Sequence, residues 1–272
     1  MMKEPVSIID ISQPISRSYA CYPGDTPFDY TLTASFAQNK CYNLTAFTMS
    51  PHIGSHADAP AHVLNLETAV RDAKLAQDLE LESLCSGAGH SQRVLDRSTA
   101  NDSGSRDCVK LASRAAVFRL DTMEPKNLAG HLPLAPFIGP CLVIDVSPCK
   151  GEITLKSVEN KLKGDIPLRI LFKTRLQLRF DQFDEEYAYF SLDLIDFLHA
   201  KGVKLIGIDT PSVDHIHSKT LDAHHALIAH GMVWIENLDL SQAQENTYFL
   251  SALPLKLMEL EAAPLRAVLI SL

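Results

Sequence analysis

Between Ser50 and His62 the chain reads Ser-Pro-His52-Ile-Gly-Ser-His56-Ala-Asp58-Ala-Pro-Ala-His62. His52 and His56 are four apart, a spacing that shares a face on a helix. Pro51, Gly54 and Pro60, however, make a continuous helix through this window costly. A strand end or tight loop fits better, and irregular backbone can aim several side chains at one point. Two imidazoles and a carboxylate form a mixed N/O donor set that suits zinc, manganese or iron. One more histidine, His62, is left free to act as acid or base. A surface loop explains any one of these histidines, but not the whole His-x3-His-x-Asp-x3-His pattern set among prolines and glycine.

A second set of candidates lies far along the chain, in GIDTPS (207–212), SKTLDAHH (218–225) and WIENL (234–238). The first of these resembles the C-terminal end of a buried strand, where α/β proteins place their sites. Glu236 is a charge inside an apolar strand, and the period of two puts it on one face with Met232, Trp234 and Leu238. A buried carboxylate without a partner is expensive, so Glu236 should meet a cation, either a metal or an arginine. The chain has 11 histidines. Of these, His215, His217, His225 and His230 are read as surface or packing residues.

The elements that must position these groups follow from the rest of the chain. Its 272 residues, 46% hydrophobic and 21% charged, are enough for a full core and exclude wholesale disorder. The first 65 residues read as short strands and loops, punctuated by segments such as Tyr22-Pro-Gly-Asp-Thr-Pro27. Residues 66–84 have helical composition, 86–107 are polar and loop-like, and 115–120 have strand character. From Gly139 on, five apolar runs have strand length: 141–147, 166–174, 203–209, 232–238 and 267–272. Helical stretches near 156–163, 191–201 and 218–230 lie between them, with Ser191 as an N-cap and Gly202 and Gly231 just past helix ends. Alternation of this kind predicts α/β architecture with buried, largely parallel strands. The expectation is one domain carrying an insertion near 66–128.

Several function classes lose support. The formal net charge is −8 and there is no basic block, which argues against nucleic acid or an anionic membrane as partner. No apolar run reaches the length of a membrane span. Charges and prolines in MMKEPVSIIDISQP stand where a signal peptide needs an apolar stretch, so a cytoplasmic protein is expected. Six cysteines, scattered and without C-x-x-C, indicate neither a disulfide framework nor a cysteine-zinc site. There is no G-x-S-x-G elbow; the nearest match, Gly89-His-Ser91-Gln-Arg93, ends in arginine. P-loop, G-x-G-x-x-G and H-E-x-x-H motifs are absent as well.

Taken together, these residues resemble the metal-dependent cyclase family and, within it, the bacterial kynurenine formamidases. The family signature H-x-G-T-H-x-D-x-P-x-H stands here as His52-Ile-Gly54-Ser55-His56-Ala-Asp58-Ala-Pro60-Ala-His62. GIDTPSVD (207–214), SKTLDAH (218–224), the Trp234-Ile-Glu236-Asn-Leu segment, DISQPIS (10–16), YPGDTPF (22–28) and ALPLKLMELEAAPLRAVL (252–269) extend the likeness over 8–65 and about 130–272. The resemblance implies a compact swivelling β/β/α-type domain with a mixed sheet, a homodimer, and two divalent metal ions per subunit, commonly zinc with manganese as the alternative. It implies that His52, His56 and Asp58 hold the first metal, that Asp58 bridges to a second held by His224, and that Glu236 contacts both. His62 would be the general acid/base. Tyr22 occupies the position of a family tryptophan that walls the substrate pocket.

The implied activity is hydrolysis of N-formyl-L-kynurenine, an aryl formamide, to L-kynurenine and formate in tryptophan catabolism. Two metals would supply hydroxide and polarise the formyl oxygen, while His62 protonates the departing aniline nitrogen. This sequence departs from the family in Ser55 for threonine, in Tyr22 for tryptophan, and in the length between Asn65 and His131. The excess there is read as a tolerated surface insertion, because long loops add little closure entropy. The alternative activity is that of an isatin hydrolase-like relative opening another cyclic or aryl amide. A third reading is a non-catalytic metal-binding protein; His62 speaks against it, since a metal store needs no acid/base beside its ligands.

Overall fold

The computed structural model describes residues 7–64 and 124–271, which belong to one compact unit. The helix expected at 66–84, the polar stretch at 86–107 and the strand at 115–120 fall outside the described residues. The expected insertion reached residue 128, but residues 124–128 belong to this unit, where Leu128 is buried.

A mixed sheet carries the fold. Its strands in chain order are β1 (Ile8–Asp10), β4 (His56–Asp58), β5 (Ile138–Asp145), β7 (Arg169–Lys173), β9 (Leu205–Ile208), β10 (Val233–Glu236), β11 (Asn246–Ser251), β12 (Ala262–Pro264) and β13 (Val268–Ile270). They lie side by side as β1-β13-β11-β5-β7-β9-β10-β4-β12. The centre, β5-β7-β9-β10, is parallel, and both wings are antiparallel. Two small two-stranded ladders pair β2 (Asp29–Ala34) with β3 (Leu44–Thr48), and β6 (Gly151–Ile153) with β8 (Ala188–Phe190). The expected α/β class with a mixed sheet is what the chain forms.

Alternation along each central strand builds two cores, one on each face. Val143, Leu171, Leu205, Val233 and Ile235 face one core. Ile144, Ile170, Phe172, Ile206, Ile208 and Trp234 face the other, which is covered by the helices Leu192–Ala200 and Asp222–Ala229. The first of these helices starts where expected, with Ser191 Oγ accepting from Leu194 N. The stretch near 156–163 is helical only over Leu155–Val158.

The period of two fails at one informative place. Leu238 does not share the face of Trp234 and Glu236; it packs in the opposite core with Val233 and Ile235. Asn237 causes this. Its φ of 54° is left-handed, so the strand ends at Glu236 and the next side chain points the other way.

Gly207 shows how closely the central strands pack. A Cβ there would come within 2.5 Å of Leu171 Cδ2 and 3.1 Å of Leu238 Cδ1, and both leucines are fully buried. Gly207→Ala is therefore expected to cost about 1–3 kcal/mol through overpacking. A denaturant melt reads this, and an unchanged midpoint would show that the strands can separate freely.

Candidate metal centre and active-site cavity

The site is assembled on the short strand β4, which is held between β10 and β12 and fully buried. Antiparallel register sets His56 opposite Glu236 on one side and opposite Pro264 on the other. His56 and Asp58, two apart, project to one face, while Ala57 packs into the core on the other. Just before the strand, Gly54 has a φ of 67°, and a Cβ on it would strike Ile15 Cγ1 at 2.9 Å. That left-handed turn doubles the chain back, so that the ring centroids of His52 and His56 lie 4.9 Å apart. His62 ends the 3-10 turn Pro60–His62, and its ring centroid lies 4.4 Å from that of His52 and 5.5 Å from that of His224.

Five side chains converge. Asp58 Oδ1 lies 3.1 Å from His52 Nδ1 and 3.2 Å from His56 Nε2. Asp58 Oδ2 accepts from Trp234 Nε1 at 3.2 Å and lies 3.5 Å from His224 Nε2. Glu236 reaches His56 Nε2 through Oε2 and His224 Nε2 through Oε1, both at 3.5 Å. The donor atoms of His52, His56 and Asp58 all lie within 4.8 Å of one another, as do those of Asp58, His62 and His224. Asp58 belongs to both groups.

A second layer aims these ligand atoms. His56 Nδ1 is 2.9 Å from Gly54 O, which turns Nε2 inward. His224 Nδ1 is 2.6 Å from Asp214 Oδ2, and Asp214 also accepts from Ala223 N and His224 N. Glu236 Oε1 accepts from Val213 N. Histidines that bind metal are commonly oriented by such a partner on the second nitrogen.

The electrostatics call for a positive charge between the carboxylates. Burial opposes ionisation of Asp58, but the surrounding histidines hold it well below the usual carboxylate range. Burial and the Asp58 charge both oppose ionisation of Glu236, yet hydrogen bonds from His224 and His56 lower it. Burial likewise disfavours charge on His52 and His56. There the charge of Asp58 and the other carboxylates beside them wins, raising the two imidazoles to about 10 and about 9. His62 behaves differently. Partial desolvation beside the cavity and the neighbouring His52 and His224 outweigh Asp58 and Glu236, and its imidazole is lowered.

The donor set fits a divalent cation. Asp58 Oδ1 is buried and has no hydrogen-bond partner among the described residues, although two imidazole nitrogens face it. Those two nitrogens, His52 Nδ1 and His56 Nε2, lie 3.2 Å from each other. Three ligand atoms converging on one point, with the central oxygen unpartnered, is the arrangement that a tetrahedral N/O-binding ion satisfies.

The cluster borders a cavity of about 530 Å³ whose lining includes His52, His62, His224 and Glu236. Tyr22 forms part of its wall, in edge-to-face contact with Phe183 at 5.3 Å between ring centroids. His215, read from the sequence as surface or packing, also borders the cavity. His230 lies at the surface, 2.7 Å from Asp196. Asp214 was missed although GIDTPSVD had been singled out, because its role appears only where the helix Asp222–Ala229 folds back against it.

Comparison with known proteins gives the family. A Cyclase family model matches residues 9–215. The kynurenine formamidase of Bordetella avium is 33% identical over 260 residues, covering 96% of each chain. That of Bordetella pertussis is 32% identical over the same span. Among solved structures, isatin hydrolase A from Ralstonia solanacearum superposes with a TM-score of 0.67 at 18% identity, covering 98% of this chain and 92% of its own. A protein described as a predicted metal-dependent hydrolase, from Bacillus stearothermophilus, does so with a TM-score of 0.63 at 20% identity, covering 99% and 100%. At those identities the structural likeness speaks for the fold. With the family model spanning most of the chain and the relatives covering nearly all of it, the chain belongs to the cyclase family.

Proposed function

We propose that this chain is a metal-dependent arylformamidase that hydrolyses N-formyl-L-kynurenine to L-kynurenine and formate. The observation that carries the reading is the convergence of His52, His56, Asp58, His224 and Glu236 beside an aromatic-walled cavity that His62 also lines. Relatives that are kynurenine formamidases, 32–33% identical over 96% of the chain, support the substrate.

In this reading His52, His56 and Asp58 hold one divalent cation, and Asp58, His224 and Glu236 hold a second. Zinc suits the donors best, with manganese the alternative. Cations so held supply a Lewis acid for the formyl oxygen and a water acidified toward neutrality. The chain's own residues do the rest. Asp214 and Gly54 O orient the two deepest imidazoles. Tyr22 and Phe183 offer ring edges and faces to an aniline ring. His62, held largely neutral, takes a proton from the attacking water and passes it to the aniline nitrogen as the C–N bond breaks. The water oxygen ends in formate and the transferred proton ends on the amine.

Formate release from N-formyl-L-kynurenine by purified protein tests this reading. Chelation is expected to abolish turnover, and zinc or manganese to restore it. Metal-loaded protein without turnover would defeat the reading and turn the search to isatin and other cyclic amides. A homodimer is part of the same proposal. Its support is the exposed apolar surface of the β2–β3 ladder and its connection, with Leu32, Phe36, Tyr42, Leu44 and Phe47 each more than half exposed. Light scattering that finds a monomer at micromolar concentration would remove it. Within the segment near 66–128, the part that ends at residue 123 is proposed to be an insertion in this domain. Among the described residues no helix is long and apolar enough to cross a membrane.

A further inference from the structure

The cavity also has charged lining that the chemistry above does not use. Arg175 follows β7 and is fixed there by Asp209, a carboxylate only 1% exposed. Asp209 accepts from Thr174 N, Thr174 Oγ1 and Arg175 N. The Arg175 side chain is 18% exposed and lines the same cavity as His62 and Glu236. Its buried Nη2 has no hydrogen-bond partner among the described residues. The carboxylate it faces, Asp184 Oδ2, is 3.8 Å away, beyond hydrogen-bonding reach. Arg179 also borders the cavity, but it is 69% exposed and pairs with Asp181 through both Nε and Nη2.

A guanidinium left short of partners at a cavity wall is costly, and its planar fork matches a carboxylate. Asp184 is 44% exposed and adjoins Phe183, the ring packed on Tyr22. The aromatic wall and this charged pair therefore form one continuous surface. A positive fork beside a negative carboxylate is complementary to the zwitterionic end of a free α-amino acid.

We propose that Arg175 and Asp184 form the subsite for the amino-acid end of the substrate, with Arg175 binding its α-carboxylate and Asp184 its α-ammonium. This rests on the formamidase reading and names the groups that would set its specificity. Asp209 is a positioning residue that holds the Arg175 backbone at the cavity wall. A substrate reduced to an aryl formamide would fit the metal end but forgo these contacts.

The test compares N-formyl-L-kynurenine with formanilide in the metal-loaded wild type and in Arg175→Met, which keeps the apolar stem. The ratio of their kcat/KM values is expected to fall roughly 10- to 100-fold in the variant, mainly through KM. An unchanged ratio overturns the subsite, and so does a wild type with no preference for the amino-acid substrate over formanilide. Should Arg175→Met fail to fold, the α-methyl ester of N-formyl-L-kynurenine reads the same contact in the wild type. Its KM should rise by a similar factor, and an equal KM overturns the proposal. If the wild type hydrolyses neither formamide, the formamidase reading fails and binding decides the subsite. Calorimetry should then show L-kynurenine binding more tightly than 2-aminoacetophenone, with that difference lost in Arg175→Met or on esterification. No such preference overturns the subsite as well.

Discussion

Asp58→Asn is expected to lower kcat by roughly 10³-fold or more and to strip the protein of metal, because one side chain serves both ligand groups. Asp58 Oδ1 faces His52 and His56 at 3.1 and 3.2 Å, while Oδ2 faces His224. An amide of the same shape can still accept from Trp234 Nε1, so the strand should keep its place. What it loses is the negative charge that draws positive charge into the site. The same charge raises His52 and His56 to about 10 and about 9 against their burial. Those imidazoles must shed protons to bind a cation, so loading should release protons and metal retention should weaken as pH falls. Elemental analysis alongside formate release reads the outcome. A variant that holds its full metal complement and turns over at the wild-type rate would remove Asp58 from the centre.

His62→Ala is expected to reduce turnover roughly 10²- to 10⁴-fold while leaving the metal content unchanged. His62 is exposed at the cavity, whereas His56, Asp58, His224 and Glu236 are buried. Its lowered imidazole suits a group that first accepts a proton and then donates it. Its donor atom also lies within 4.8 Å of those of Asp58 and His224, so geometry permits a ligand role, and the variant separates the two. Loss of metal together with activity would make His62 a ligand. Unchanged turnover would take it out of the mechanism.

Much of the site could be read from the chain because its core is local. Pro51, Gly54 and Pro60 exclude a helix through the histidines, and the two-residue period puts His56 and Asp58 on one face. The strand-like runs became β5, β7, β9, β10 and β13, since β-branched stretches buried on both faces are hard to accommodate otherwise. The strands β11 and β12 escaped notice. The polar start of β11, Asn246-Thr247, and the three small residues of β12 carry little apolar pattern of their own, and both strands are defined by the neighbours they pair with. Leu238 was assigned to the wrong face because periodicity cannot anticipate the left-handed turn at Asn237.

Residue types and spacing by themselves picked out His52, His56 and Asp58 as donors, the need of Glu236 for a cationic partner, and the α/β class, whereas His224 entered only through the family resemblance. Only the tertiary structure decided which atoms meet. Asp58 and Trp234, 176 positions apart, touch because β4 pairs with β10 in one register. Asp214 becomes the partner of His224 only once a helix returns to it. Arg175 gains its place from Asp209, just past the end of the neighbouring strand β9. Local spacing is set by the backbone's own period, whereas these contacts depend on long-range pairing that no short stretch of sequence encodes.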